Sequence, residues 1–202
     1  MSRQPPSMTS PLIIRESSAG ICHLSVHDEM LEHRELSVCG PIEDEMAFEL
    51  CQHIRHLERR DPIAPVTVFI SSPGGSVSAG LGIFDALRAT PCPIHTIGFG
   101  LVASMGAIVY MAGDERELYP HAELMVHDPL IPNGPGGSAL SLQETSRRLM
   151  GARRQLNTIL ATRSGLTLKR VQQLTAKDTY LDAERALELG FSTKMFASAK
   201  EG

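Results

Sequence analysis

A pattern that occurs twice in this chain strongly limits its fold: a short apolar run passes through a glycine-containing turn into a second apolar run with helical spacing. In the first copy, residues 66–70 predict a strand, residues 71–76 a turn and residues 77–87 a helix that Pro91 closes. From Gly40 onward helices and strands continue to alternate. This alternation indicates the α/β fold class.

The second copy places a lone serine, Ser104, between its two apolar runs. Residues 94–99 predict a buried strand, and residues 105–111 predict a buried helix that Gly113 ends in the left-handed conformation. A serine at this junction has its hydroxyl at the positive end of the helix, where unpaired backbone N–H groups can hold a developing oxyanion. The pattern favours a nucleophile. A serine that simply caps the helix is the alternative.

The turn of the first copy contains two adjacent glycines, Gly74 and Gly75. Because glycine has no Cβ, the backbone can present its amides to a ligand without steric cost. A glycine-rich loop can also bind a phosphate, but neither the P-loop spacing nor the dinucleotide-binding spacing occurs in this turn. Nucleotide binding is therefore disfavoured.

A serine nucleophile needs a base, and the third apolar strand, residues 123–127, ends in a histidine. His127 is the preferred candidate because it lies at the end of a strongly apolar strand. His95 and His121 remain possible bases, and a buried structural role for His127 remains a competing interpretation.

Histidines can also bind metal ions, and the sequence offers one set of candidate ligands. His53 and His56, with Cys51 nearby, fall on a predicted helix from about residue 44 to residue 59. No further His/Cys set completes a four-ligand site, so a solvated helix flank is the favoured interpretation and no metal site is predicted.

The third member of such a site is a carboxylate that fixes the tautomer of the base. Asp128 is adjacent to His127, but successive side chains of an extended chain point to opposite faces, so Asp128 is expected to face away. Asp178 is predicted to lie in a loop between two amphipathic helices, from which it could reach the base. The residue pattern alone leaves this choice open.

Four motifs, in this order, resemble the proteolytic subunits of the Clp protease family. The resemblance covers about residues 40–191 and rests on Ser72-Pro-Gly-Gly75 with Gly80, Ala103-Ser-Met-Gly106, Met125-Val-His-Asp-Pro129, and Asp178-Thr-Tyr-Leu-Asp-Ala183 followed by Ala186-Leu-Glu-Leu-Gly190. It implies that Ser104 is the nucleophile, His127 the general base and Asp178 the orienting acid. It also implies an oxyanion hole made of the backbone amides of Gly75 and Met105.

The resemblance further implies a Clp/crotonase-type spiral of ββα units with a projecting handle helix. The implied activity is that of a serine endopeptidase, which cleaves unfolded polypeptides inside a chamber formed by two stacked seven-membered rings. The implied partners are an AAA+ Clp ATPase hexamer, which uses the ATP, and further copies of the chain or of a paralogue. No metal or organic cofactor is implied in the subunit itself. The Gly-x-Ser-x-Gly elbow of α/β-hydrolases does not fit, because Val102 occupies the first glycine position.

Composition agrees with this interpretation. At 202 residues and 42% hydrophobic content the chain fits one domain, expected over residues 13–202 after a disordered arm or propeptide at residues 1–12. A net charge of −4 gives no electrostatic footprint for nucleic acid. Four scattered cysteines without a Cys-x-x-Cys pair suggest reduced thiols in a cytoplasmic chain. No signal peptide or membrane-spanning run is recognised.

The longest predicted helix is expected to start near Ser141, which forms a capping-box pattern with Glu144, and to run toward Gly165. In the resembling family this segment, about residues 130–165, is the handle that joins the two rings. A helix packed on its own domain is the alternative.

The chain departs from the family pattern at three places. Thr67 and Phe69 stand where two aromatic residues line the hydrophobic ATPase-docking pocket, so docking is expected to be weaker. Ala176 and Lys177 replace an acidic residue and an arginine that pair across the rings. Residues 131–138, with Pro132 and Pro135, replace a glycine-rich strand.

These departures keep an alternative function open: a structural or regulatory ring subunit that co-assembles with a standard paralogue and has little activity alone. An acyl-CoA-processing crotonase shares the fold and the paired-amide oxyanion hole, but it has no need of a Ser-His-Asp set. We expect the homomeric double ring to be unstable.

Overall fold

The structure is a computed structural model that describes residues 12–17, 20–130 and 137–196. The first half of the chain forms β1 (Ile13–Ser17), β2 (Gly20–Leu24), α1 (Val26–Glu32), β3 (Glu35–Cys39), α2 (Asp44–Arg60), β4 (Val66–Ser72), α3 (Val77–Ala89) and β5 (Ile94–Ala103). The second half forms α4 (Met105–Tyr110), β6 (Glu115–Leu118), β7 (Glu123–Val126), α5 (Ala139–Ser164), α6 (Leu168–Thr175), β8 (Thr179–Leu181), α7 (Ala183–Glu188) and β9 (Lys194–Met195).

Most of the strands join one sheet. In the described part of the chain its order is β3-β4-β5-β6-β9, and these neighbours are all parallel. Strand β7 pairs in parallel with the end of β5 beyond β6, and β8 pairs antiparallel with β7. Strands β1 and β2 form a separate antiparallel hairpin. The predicted α/β fold class is confirmed, and the structure shows that the sheet is mostly parallel.

The core lies between the sheet and the helices that follow its strands. Strand β4 alternates strictly, with Val66, Val68 and Ile70 buried and the residues between them partly exposed. Because side chains alternate across a strand, one face of the sheet packs on helices while the other stays partly open. Helix α4 is buried along its whole length, so the segment after β5 is part of the core.

The two strand–turn–helix segments form as predicted, but the predicted end of α4 is wrong. Met111 follows the helix in right-handed geometry, and Gly113 does not have a positive φ. Gly113 is required for space instead, because a Cβ there would lie 2.3 Å from Thr96 Oγ1. Its carbonyl accepts hydrogen bonds from the guanidinium groups of Arg116 and Arg163.

The longest helix, α5, ends at Gly165 in the left-handed conformation, with φ of 77°. The capping box predicted at Ser141 is wrong, because Ser138 is the N-cap and accepts from the Ser141 amide. Glu144 pairs with arginines one turn further along the helix. Residues 139–155 contain no buried side chain, which fits a helix whose first half stands away from the domain.

The region before residue 39, which shows little pattern in the sequence, contains β1, β2, α1 and β3. Except for Leu12, the arm expected at residues 1–12 lies outside the described residues, as do Pro132 and Pro135. In the part of the chain that the structure describes, no helix is long and apolar enough to cross a membrane.

Candidate active site

Ser104 lies at a strained junction between β5 and α4. Its backbone has φ of 54° and ψ of −119°, a conformation that non-glycine residues rarely adopt. Such strain costs on the order of 1–3 kcal/mol and persists only where the surroundings enforce it. Here the Ser104 amide donates to the Met125 carbonyl at 2.9 Å, and the buried helix α4 starts at the next residue.

His127 contacts the Ser104 hydroxyl. Its Nε2 lies 2.8 Å from Ser104 Oγ, within hydrogen-bond distance. The parallel pairing of Ala103 in β5 with Met125 in β7 places the ends of these two strands side by side. His127 directly follows β7, so the strand register brings the histidine to the serine.

Asp178 lies on the other side of the His127 ring, with its Oδ1 3.4 Å from Nδ1. Asp178 lies in a loop after α6, as predicted, but the sequence did not indicate that strand β8 begins at the next residue. Val126 of β7 pairs with Thr179 of β8, so one step further along this antiparallel register His127 opposes Asp178. The Asp178 side chain is 64% exposed, whereas that of His127 is 15% exposed.

Asp128 faces away from this pair, as the alternation of an extended chain predicts. Its Oδ2 accepts from Nε of Arg153 in α5 at 2.6 Å, and its amide donates to the Thr175 carbonyl at 2.7 Å. Arg153 is a residue that sequence reasoning missed. It lies 25 positions from Asp128 along the chain, so no local spacing signals the contact.

The Gly74-Gly75 turn packs directly against the Ser104 junction. A Cβ on Gly74 would lie 2.7 Å from the Ser104 Cβ, and a Cβ on Gly75 would lie 2.2 Å from the Ile42 carbonyl oxygen. Among the described residues, the amides of Gly75 and Met105 donate no hydrogen bond. Two unpaired amides beside a serine hydroxyl can stabilise negative charge on a substrate oxygen.

A cavity of about 290 Å³ opens beside Ser104. Ser104, His127, Gly75 and Met105 share it with apolar side chains from α3, α4, β7 and α5 and from the loops beside them. The lining is Pro73, Gly75, Val77, Ser104, Met105, Ile108, Met125, Val126, His127, Pro129, Leu130, Leu156 and Leu160. Such a wall suits an apolar side chain of a substrate.

The other histidines considered as bases lie away from Ser104. His121 is exposed and is not among the described residues that line the cavity beside Ser104. His95 lies on the open face of the sheet, where its Nε2 is 3.0 Å from Glu117 Oε1 but lacks the alignment of a hydrogen bond. No metal-ligand group among the described residues contains Cys51, His53 or His56.

One group could hold a metal ion by composition: His95, Glu115 and Glu117, whose ligand atoms lie within 4.8 Å of one another. The Lys194 ammonium already lies 3.0 Å from Glu115 and 2.9 Å from Glu117. The hydrogen bond to Glu117, followed by that to Glu115, raises the pKa of Lys194, and Lys194 in turn lowers the pKa of Glu115. The Lys194 ammonium therefore already pairs with both carboxylates and offsets one of their two negative charges.

All four cysteines are free thiols. Cys39 and Cys51 lie near the surface but are partly buried, and this burial raises the pKa of both thiols. Neither thiol lines the cavity beside Ser104.

Comparison with known proteins gives one consistent result. Residues 18–199 match the family described as Clp protease. Proteolytic subunit 1 of the ATP-dependent Clp protease from Corynebacterium jeikeium (strain K411) is 35% identical over 179 residues, which cover 88% of this chain and 94% of the relative. The ATP-dependent Clp protease proteolytic subunit from Streptococcus suis (strain 98HAH33) is 32% identical over 192 residues, which cover 94% of this chain and 98% of the relative.

Proposed function

The chain belongs to the Clp protease family and is a serine-type peptidase subunit, and we propose that Ser104, His127 and Asp178 are its catalytic residues. The observation that carries this assignment is the 2.8 Å contact from His127 Nε2 to Ser104 Oγ at a strained backbone junction. Strained residues cluster at active sites, and a serine paired with a base is the arrangement that activates a hydroxyl.

The proposed reaction is acyl transfer in two steps. Ser104 Oγ attacks the peptide carbonyl carbon while His127 Nε2 takes the hydroxyl proton, and the proton then passes to the leaving amine as the peptide bond breaks. Water then attacks the acyl-enzyme ester while the same nitrogen takes its proton. That proton passes to Ser104 Oγ as the ester bond breaks, which regenerates the serine and releases the new carboxylic acid, and this acid ionises in solution. Asp178 holds the Nδ1 proton of His127 and stabilises the imidazolium that forms in each step.

The amides of Gly75 and Met105 are the proposed oxyanion hole. Gly75 and Met105 both line the cavity beside Ser104, and among the described residues their amides lack a hydrogen-bond acceptor. Every group in this mechanism is a side chain or amide of the chain itself, so the proposal assigns no cofactor to the subunit. ATP is assigned to the partner ATPase.

The proposed substrates are unfolded polypeptides cut internally. The apolar cavity wall, with Ile108, Leu156 and Leu160, would take the side chain on the acyl side of the cleaved bond. A cytoplasmic location and one peptidase domain over residues 13–202, with a handle at about residues 130–165, remain part of this proposal. The free thiols and the exposed first half of α5 support them.

The proposed partner is a Clp ATPase hexamer, docked on the open face of the sheet. In the strand register, Phe69 is beside Ile97, and Thr67 is beside His95, which is beside Glu115. Thr67, which stands where the aromatic ring is missing, is therefore followed across the sheet by two further polar side chains, His95 and Glu115. We expect this row to weaken apolar docking.

The proposed assembly is two stacked seven-membered rings, and the exposed Ala176 and Lys177 are the basis for expecting the homomeric form to be weak. Loss of a carboxylate–arginine pair at each of seven subunits should add up across the ring interface. We predict that the protein alone gives single rings or smaller species with poor activity. A standard paralogue should restore the double ring, as the alternative of a co-assembling subunit also requires.

Sedimentation velocity tests this assembly prediction. Ala176→Asp with Lys177→Arg should move the lone protein toward the double ring. A stable, fully active homomeric double ring formed by the unmodified protein at micromolar concentration would contradict it.

Hydrolysis of a short fluorogenic peptide tests the proposed function. Ser104→Ala should lower the rate on the order of a million-fold, because the hydroxyl is the group that forms the covalent bond. Ser146→Ala, on the exposed part of α5, is the matched control and should keep the original rate. Substantial activity in Ser104→Ala would refute the assignment.

A further inference from the structure

One ion pair ties the loop that carries His127 to the long helix α5. Arg153 Nε donates to Asp128 Oδ2 at 2.6 Å, and the two side chains are 27% and 31% exposed. A pair that is this short and partly shielded interacts more strongly than a fully exposed one. Because Asp128 is the residue after His127, the pair fixes the backbone beside the proposed base.

The same residue also connects this loop to the segment that leads to Asp178. The Asp128 amide donates to the carbonyl of Thr175, the last residue of α6 and three positions before Asp178. Thr179, directly after Asp178, donates from its hydroxyl to the Leu174 carbonyl at 2.7 Å. Asp128 is therefore the point at which α5, the His127 loop and the Asp178 segment meet.

Two other polar side chains near this junction, those of Asn157 and Thr175, are buried but leave a polar atom without a hydrogen bond. Asn157 lies one turn beyond Arg153 on the same side of α5 and is 2% exposed, and Thr175 is 1% exposed. Among the described residues, Asn157 Nδ2, Thr175 Oγ1 and the second carboxylate oxygen of Asp128, Oδ1, are buried without a hydrogen-bond partner. A buried oxygen without a partner is costly, so the contact of Oδ2 with Arg153 is the side-chain contact that holds Asp128 in place.

His127 depends on this contact because, apart from the Ser104 hydroxyl on its Nε2 side, the restraint on the Nδ1 side of its ring is weak. The separation of 3.4 Å from Nδ1 to Asp178 Oδ1 is long for a hydrogen bond, and the Asp178 carboxylate is mostly exposed. The ring is therefore oriented largely by the backbone that carries it. A displacement of about 1 Å in a catalytic group costs up to about 100-fold in rate.

We propose that Asp128 and Arg153 are positioning residues, which hold His127 at the distance from Ser104 and Asp178 that catalysis requires. Neither residue touches the reacting atoms. The proposal rests on the proposed Ser104–His127–Asp178 site, and it assigns to α5 a direct part in aligning that site within one subunit.

Steady-state hydrolysis of a short fluorogenic peptide by the assembled protein tests this proposal. Arg153→Gln and Asp128→Asn should each lower kcat between about 10-fold and 100-fold with little change in KM, because the cavity remains and only the alignment of the base is lost. Arg153→Lys should recover much of the loss, since it keeps a cation at the same place. Arg170→Gln, at an exposed position of α6 outside the proposed handle, is the matched control and should behave as the original protein.

The double variant separates positioning from general damage. If the two residues act through each other, Asp128→Asn with Arg153→Gln should be no worse than the more damaged single variant. Sedimentation velocity on each variant should show the assembly state of the original protein. Asp128→Asn is nearly isosteric, so it remains informative if Arg153→Gln does not fold.

Two outcomes overturn the proposal. One is an unchanged kcat in correctly assembled Asp128→Asn and Arg153→Gln. The other is a loss near 10⁴-fold in Asp128→Asn that Arg153→Gln does not share, which would make Asp128 the orienting acid. The proposed function fails separately, only if Ser104→Ala stays active.

Discussion

The two sides of His127 are built differently. On one side, Ser104 is fixed between β5 and a fully buried helix, and its hydroxyl lies 2.8 Å from Nε2. On the other side, Asp178 precedes a strand of three residues, is 64% exposed and lies 3.4 Å from Nδ1. The core therefore fixes the proposed nucleophile, whereas a short edge strand and the loop contacts set the proposed acid.

This difference indicates which side of the site depends on the packing of the core. A positive φ at Ser104 is unfavourable by itself, and it is held because α4 and the strands around it are packed in the core. No comparable strain is present at Asp178, which is not among the residues with positive φ. We expect changes on the Asp178 side to alter turnover more readily than stability, and changes in the Ser104 scaffold to do the reverse.

The largest effect in this comparison is expected from Asp178→Asn. An amide at this place favours the wrong His127 tautomer, and in trypsin the corresponding change lowers kcat about 10⁴-fold. We expect a loss as large as about 10⁴-fold in kcat and little change in the thermal unfolding midpoint, because the side chain is mostly exposed.

Asp128→Asn is the comparison variant for this measurement, with an expected loss of at most about 100-fold. Near-normal turnover in Asp178→Asn together with a severe loss in Asp128→Asn would show that the roles of the two carboxylates are reversed.

A smaller effect, on stability rather than turnover, is expected from Asp114→Asn at the start of β6. Partial burial of Asp114 acts to raise its pKa, but the Ile94 amide and the Arg88 guanidinium outweigh it, so the pKa lies below its usual value. A carboxyl with a lowered folded pKa stabilises the protein above its unfolded pKa of about 3.9, and this contribution is lost as the pH falls through the folded value.

We therefore expect Asp114→Asn to lower the free energy of unfolding by about 1 kcal/mol at pH 7, a figure reduced because the carboxylate is nearly half exposed. The difference should be smaller at about pH 3 than at pH 7, because the contribution is lost as the pH falls through the folded pKa. Asp85→Asn, at an exposed position of α3, is the control and should change little. Denaturant unfolding at both pH values checks this prediction. If the loss in kcat, expressed as a free energy, were larger than the loss in the free energy of unfolding, the division between the two sides of His127 would be contradicted.

Much of the fold and part of the site could be predicted from the sequence. Long apolar segments with regular spacing gave β4, β5 and α3, and the glycines around Ser104 marked the junction. Strand β8 could not be predicted, because three residues carry too little periodicity to be recognised. Its pairing with β7 is nevertheless what brings Asp178 opposite His127.

The other sequence-based predictions that differ from the structure have similar physical causes. Either Ser138 or Ser141 satisfies the preference for serine at a helix start, and only the backbone path decides that Ser138 caps α5. The sequence predicts that Gly113 ends helix α4 in the left-handed conformation, but glycine is needed there because a Cβ would collide with Thr96. The Asp128–Arg153 contact depends on tertiary packing between segments that share no local pattern.

The most direct test of the central claim is the rate and place of covalent labelling by a fluorophosphonate, followed by intact mass and peptide mapping. Only a hydroxyl activated by a positioned base reacts at useful rates. We predict a single label on Ser104, no label in Ser104→Ala, and slower labelling in Asp178→Asn than in the unmodified protein. A label on another residue, or equal labelling of Ser104→Ala, would contradict the account.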